Sequence, residues 1–172
     1  MKACFKLKKI IDNNNLSPKV SISLFNSLIK PIALYGSEIW GTSILAATTE
    51  KTMKNLENLP QEKFLLSFSR YILGVHKNTT TAAVRGELGL YPLGLYALKS
   101  MFKYKEHMLN APYNSILRNA ADQLLLGSDS KCWLSLVHKI ESQVNNTDGY
   151  LTSGQLLNKY KDLYRTYWFN SF

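Results

Sequence analysis

The chain is short of most residue types that side-chain catalysis uses. It has 172 residues, with two cysteines, Cys4 and Cys132, and three histidines, His76, His107 and His138. There is no CxxC pair. A self-contained zinc knuckle needs four ligands at close spacing, so that class is excluded. Two isolated thiols read as buried residues in a reducing compartment, not as a disulfide framework. Acidic residues are also scarce, twelve against 21 lysines and arginines. Asp12, Asp122, Asp129, Asp148 and Asp162 never stand close together, so no single segment supplies the paired carboxylates of a two-metal phosphoryl-transfer site. The GxxxxGKS, HExxH and GxSxG motifs do not occur. Each histidine stands alone and reads as a surface or packing residue. Glu87 in "VRGELG" is a lone carboxylate, read as structural, either pairing with Arg85 or capping the short helix around it. No catalytic residue, metal ligand or cofactor site is therefore expected.

Long apolar runs are missing too. No stretch of about 18 uninterrupted apolar residues exists, so no membrane span is expected. The lysine-rich start runs through Ile10 and Ile11 into Asp12 and three asparagines, which is no signal-peptide core. The expected location is intracellular, nuclear or cytoplasmic. No alternating apolar–polar run bounded by a two-residue turn appears, so strands are not expected. Internal repeats and low-complexity tracts are absent as well.

What is present is apolar mass and positive charge. Hydrophobic residues make up 45% of the chain, enough for a real core. The formal net charge is +9 and the pI about 9.5, which favours an anionic partner, nucleic acid before an acidic membrane surface. The pattern predicts an all-α fold of about seven or eight helices in an irregular bundle. The first spans Met1 to Ile11, with Ala3, Cys4, Leu7, Ile10 and Ile11 on one face and Lys2, Lys6 and Lys9 on another. Ser17-Pro18 signals the next start, a cap followed by proline at the first helical position. From there one long helix is expected to Trp40, bent at Pro31, whose missing N–H leaves the Ser27 carbonyl unbonded. Its apolar stripe is Leu24, Phe25, Leu28, Ile32, Tyr35 and Ile39. Its polar face is Lys19, Ser23, Asn26, Lys30 and Ser37. Gly36, inside that helix, is expected to admit a neighbouring backbone. Further helices are expected over Thr49 to Leu73 with a break at Pro60, Thr81 to Leu88, Pro92 to Asn110, Pro112 to Leu126, Lys131 to Asn145 and Thr152 to Phe169. Gly74 and Gly89 close two of them.

The basic residues form the candidate interface. Residues 1–30 hold six lysines against one aspartate, +5 of the total +9. The candidate phosphate contacts are Lys2, Lys6, Lys8, Lys9, Lys19 and Lys30, with Lys63 and Arg70 on the outer face of the segment after Pro60. An ordinary solvated helix face is the competing reading. A second group interleaves Lys99, Lys103 and Lys105 with Tyr96, Phe102 and Tyr104, as either a base-stacking platform or core aromatics at helical spacing. The tail carries Tyr160, Tyr164, Tyr167, Trp168 and Phe169, as either a stacking surface or a docking face.

Three segments carry a resemblance. "LFNSLIKPIALYGSEIW" resembles the stretch just after the catalytic palm in reverse transcriptases of non-LTR (LINE-type) retrotransposons, with matching positions at Leu28, Pro31, Tyr35, Gly36 and Trp40. "KACFKLKKII" is similar to the helix before it. "FSRYILGVHKNTTTAAVRGELGLYPL" resembles the next family segment, through Leu73, Gly74, Val75, Thr79, Ala82, Gly86, Glu87, Leu88, Gly89, Pro92 and Leu93. The resemblance covers about residues 2–110. It implies a thumb-like helical region over 1–110, gripping template and primer, with 111–172 as a downstream helical extension packed on it. The partners it implies are RNA or DNA backbone, an RNA–DNA duplex included, and a palm domain absent from this chain. Apolar surface left by that palm would otherwise drive self-association. The Tyr/Phe-x-Asp-Asp motif, the endonuclease and the Cys/His knuckle of the family have no counterpart here. No catalytic residue carries over, and the chain reads as an inert fragment of a mobile element. A helical structural or protein-interaction domain without nucleic-acid binding is the alternative.

Overall fold

Caps and breakers set most helix ends. The computed structural model describes residues 2–44, 48–126, 132–144 and 151–170, apart from the side chains of Lys2, Cys4 and Leu126. The expected helix ends Met1, Lys131 and Asn145, the two linkers "GSDS" and "NNTDG", and Asp129 and Asp148 lie outside those residues. The helices are α1 (Lys2–Asn14), α2 (Pro18–Leu24), α3 (Lys30–Ala33), α4 (Ser37–Trp40), α5 (Thr49–Asn58), α6 (Pro60–Leu73), α7 (Thr81–Leu88), α8 (Leu93–Leu109), α9 (Ile116–Leu126), α10 (Trp133–Val144) and α11 (Ser153–Phe169). A π-helical turn, Phe25–Ile29, joins α2 to α3, and a 3₁₀ turn, Gly41–Ile44, extends α4. Counting those joined runs once gives ten helical segments and no strand among the described residues. The fold is all-α, with more segments than the seven or eight expected.

Local chemistry explains several boundaries. Ser17 Oγ accepts the Val20 N–H at 3.5 Å, with Pro18 opening α2. Pro60 opens α6 the same way. Thr80 caps α7, and Thr152 forms a capping box with Gln155 at the start of α11. Gly74 and Gly89 close α6 and α7 at φ +65° and +61°. Two expected ends move. The DNNN stretch supplies the last turn of α1 because Asn14 Nδ2 bonds the Ile10 carbonyl at 2.8 Å and Asn15 takes a left-handed φ of +48°. Pro112 does not open α9. Residues 112–115 form a turn, and Ser115 Oγ accepts the Arg118 N–H at 3.1 Å at the true helix start.

The expected single helix from Pro18 to Trp40 is not continuous. Before Pro31 the hydrogen bonding switches from i→i+4 to i→i+5, with the Lys30 N–H donating to the Phe25 carbonyl. A wider turn takes one more residue, so the side chains beyond it fall back relative to the 3.6-residue pattern. The buried line is Ser21, Phe25 and Ile29, and Ser37 is buried as well, against its expected place on the polar face. Leu28, Ile32, Tyr35 and Ile39 of the expected core stripe are exposed. The run ends at Leu34, and Gly36 turns at φ +67° before α4 begins. A Cβ on Gly36 would meet only Trp40 Cδ1, at 3.8 Å, so the left-handed turn and not a close backbone is what requires glycine. Close approach occurs at Gly41 instead, where a Cβ would sit 3.4 Å from the Ala97 carbonyl oxygen.

The chain divides into two compact units, Met1–Tyr35 with Asn58–Leu93, and Gly36–Glu57 with Gly94–Phe172. The expected boundary at 110/111 therefore falls inside the second unit. The core of unit 1 gathers Leu7 and Ile11 from α1, Phe25 and Ile29, Leu65 and Phe68 from α6, and Leu93. Phe25 is central, its ring 4.9 Å from Phe68 and 6.2 Å from Phe64. Unit 2 buries Leu98, Met101 and Phe102 of α8, Leu134 and Val137 of α10, and Leu156 and Tyr160 of α11. There the Phe102 and Tyr160 rings stack at 6.1 Å, and the Tyr160 hydroxyl donates to the Ile140 carbonyl at 3.2 Å.

Candidate nucleic-acid interface

All eight candidate contacts fall in unit 1. That unit holds ten lysines and arginines against three acidic residues, a net +7. Unit 2 holds eleven against nine, a net +2. Two of the three acids in unit 1 are engaged internally. Glu62 is fully buried. Its Oε1 accepts from Arg85 Nη2 at 2.8 Å, and its Oε2 accepts the Leu93 N–H at 2.6 Å. Asp12 accepts a short hydrogen bond from the Tyr71 hydroxyl, which pushes the Tyr71 pKa up to about 12. Asp12 and Glu87 are both exposed, and neither is in an ion pair described in unit 1.

Helices α1 and α6 run alongside each other in the same direction. Ala3 shares a groove with Pro60 and Phe64, and the Tyr71 hydroxyl lies within hydrogen-bond distance of Asp12 and of the Lys8 carbonyl. On α1, Lys6 and Lys9 are exposed, and Lys2 occupies the same helical face. Lys8 is half-buried, its ammonium 4.4 Å from the Tyr71 ring centroid. Lys19 is exposed in the first turn of α2, and Lys30 is half-buried at the start of α3. On α6, Lys63 is exposed, three residues after Pro60. Arg70 is half-buried and spans the following loop. Its Nε and Nη2 donate to the Thr79 carbonyl at 3.1 and 3.0 Å, and Nη2 reaches Thr81 Oγ1 at 3.4 Å. Lys6, Lys9, Lys19 and Lys63 are thus the exposed members, while Lys8 and Arg70 have partners inside the unit.

Sequence reading missed two features of this unit. Lys77 is an exposed cation in the 74–80 loop, and its only signal was its charge. Glu62 takes Arg85, the partner expected for Glu87. The signal was positional: Glu62, Leu65 and Ser69 share one helix face, all buried, so a carboxylate there requires a buried cation.

The second basic–aromatic group is divided, with Tyr96 and Tyr104 half-buried and two members in the core. Phe102 is buried against Tyr160. Lys105, also buried, donates a short hydrogen bond to Glu141 and lies 3.3 Å from His138 Nδ1. Burial, aided by the Lys105 charge and opposed by Glu141, lowers the pKa of His138. Lys99 and Lys103 stay exposed. In the tail, Tyr160 and Tyr164 are buried, Tyr167 and Trp168 half-buried, and Phe169 exposed. Tyr164 donates to Glu57 Oε1 at 2.7 Å. Cys132 is half-buried, its thiol 3.0 Å from Ser135 Oγ. Among the described residues no three His, Cys, Asp or Glu side chains converge as a metal site, and no helix is long and apolar enough to cross a membrane. Comparison with protein-family models, curated proteins and solved structures finds no match to this chain.

Proposed function

We propose that this chain is a thumb-like helical module resembling the region beyond the palm of non-LTR retrotransposon reverse transcriptases, that unit 1 grips the phosphate backbone of RNA or DNA, and that the chain performs no polymerase chemistry itself. The observation that carries the reading is the +7 of unit 1, with Glu62 buried against Arg85, Asp12 hydrogen-bonded to Tyr71, and Lys6, Lys9, Lys19 and Lys63 exposed. Lys2 to Lys9 span about 10 Å of helix, which matches the rise of about three nucleotides of one duplex strand. Lysines on that face can therefore meet successive phosphates. Nothing in this contact reads sequence, so the grip is on the backbone.

The test is fluorescence anisotropy of the purified chain against RNA, single-stranded DNA and an RNA–DNA duplex over a salt series. The expected result is binding whose log affinity falls with log salt with a slope of about −3 or steeper. A folded chain that binds none of them at low salt would overturn the reading. The second reading, a protein-interaction domain, is favoured by a different observation, the exposed apolar row Leu28, Ile32 and Tyr35.

A further inference from the structure

Unit 1 carries an apolar groove that its own residues leave open. Ala3 of α1, Ile32 and Ala33 of α3, and Pro60 and Phe64 of α6 line it over Ile29, enclosing about 270 Å³. That is slightly below the range of about 300–1,000 Å³ typical of small-molecule sites, and it suits inserted side chains better than a whole ligand. Ile32 is 64% exposed, and Leu28 and Tyr35, at 51% and 87%, continue the ridge at i, i+4, i+7 spacing. Gln61 of α6 completes the lining. Gln61 Oε1 is buried with no hydrogen-bond partner among the described residues.

Charge selects the occupant. Lys6 lies three residues after Ala3, and Lys63 three residues after Pro60, so each exposed lysine stands one helical turn along from a lining residue. A second copy would bring its own net +7 against this rim, and like charge opposes that pairing. Nucleic acid matches the rim in sign. The concave aliphatic walls, however, fit branched side chains better than planar bases. We propose that the groove docks an acidic amphipathic helix of a partner protein, with aliphatic anchors in the groove and carboxylates at Lys6 and Lys63. This goes beyond the nucleic-acid reading and does not depend on it.

The probe is a labelled synthetic peptide of about fifteen residues, roughly four helical turns. It carries leucines at i, i+3, i+4 and i+7 and glutamates elsewhere, and is titrated with the full chain. The expected result is saturable binding, weakened at least about fivefold by Ile32→Ser and by the Lys6→Glu, Lys63→Glu pair. A peptide with lysine for each glutamate should not bind. All substituted positions are exposed, so circular dichroism is expected to show intact variants. The proposal is overturned by no saturable binding up to about 1 mM, or by equal binding of the acidic and basic peptides. It is equally overturned if Ile32→Ser abolishes oligonucleotide binding or self-association while the acidic peptide fails to bind.

Discussion

The two units have nearly equal numbers of cations and very different surfaces. Unit 1 sets ten against three acids, and unit 2 sets eleven against nine. In unit 2 the acids sit beside the bases: Lys105 with Glu141, Arg118 with Asp122, and Arg165 with Asp162. In unit 1 the one ion pair described, Arg85–Glu62, is buried, while Lys6, Lys9, Lys19 and Lys63 are exposed. The basic pI of the whole chain is therefore a property of one unit. An average over the sequence hides where the field is, and the field is what selects an anionic partner.

The largest expected effect breaks unit 1 from inside. Glu62→Ala leaves the Arg85 guanidinium buried without its carboxylate and the Leu93 N–H without an acceptor. The expected loss is about 3–5 kcal/mol, read by urea denaturation. A loss below about 1 kcal/mol would mean the pair is not buried as described. In unit 2 the matching change is smaller. Tyr160→Phe keeps the ring against Phe102 and removes one buried hydrogen bond to the Ile140 carbonyl, which is expected to cost about 1 kcal/mol in the same assay.

These buried polar groups also mark where sequence reading stops. The all-α class, the caps at Ser17, Pro18, Gly74 and Gly89, and the break at Pro60 were legible because each is a local signal, fixed by a few neighbouring residues. The helix from Pro18 was misread because the π-helical turn at Phe25–Ile29 lies before the proline and shifts every later side chain. The pairing of Glu62 with Arg85 was not legible because 23 residues separate them and Glu87 offered a nearer partner. Of the candidate contacts, charge and helix face placed Lys6, Lys9, Lys19 and Lys63 outward. The Tyr71 ring beside Lys8 and the Thr79 carbonyl beside Arg70 are tertiary facts with no local mark.

A smaller effect is the alkaline pH dependence that Tyr71 contributes in unit 1. In the folded chain the bond to Asp12 pushes the Tyr71 pKa up to about 12, while an unfolded tyrosine ionises near its ordinary value of 10.0. The unfolded state then binds fewer protons, so this contribution is full below pH 10 and is lost as pH rises towards 12. Stability measured across that window should fall more steeply for the natural chain than for Tyr71→Phe. Identical slopes would remove the Tyr71–Asp12 bond from the account.

The most direct test of the central claim, a backbone grip confined to unit 1, sets two charge reversals side by side. One variant carries Lys6→Glu, Lys9→Glu and Lys63→Glu, and the other carries Lys51→Glu, Lys99→Glu and Lys103→Glu in unit 2, all at exposed positions. Each is titrated against an RNA–DNA duplex over a salt series by fluorescence anisotropy. The account predicts that the first set makes the salt slope shallower by about 3, near 0.9 per lost phosphate contact, and that the second leaves it within about one contact of the natural chain. Equal losses from both sets, or no loss from the first, would contradict it.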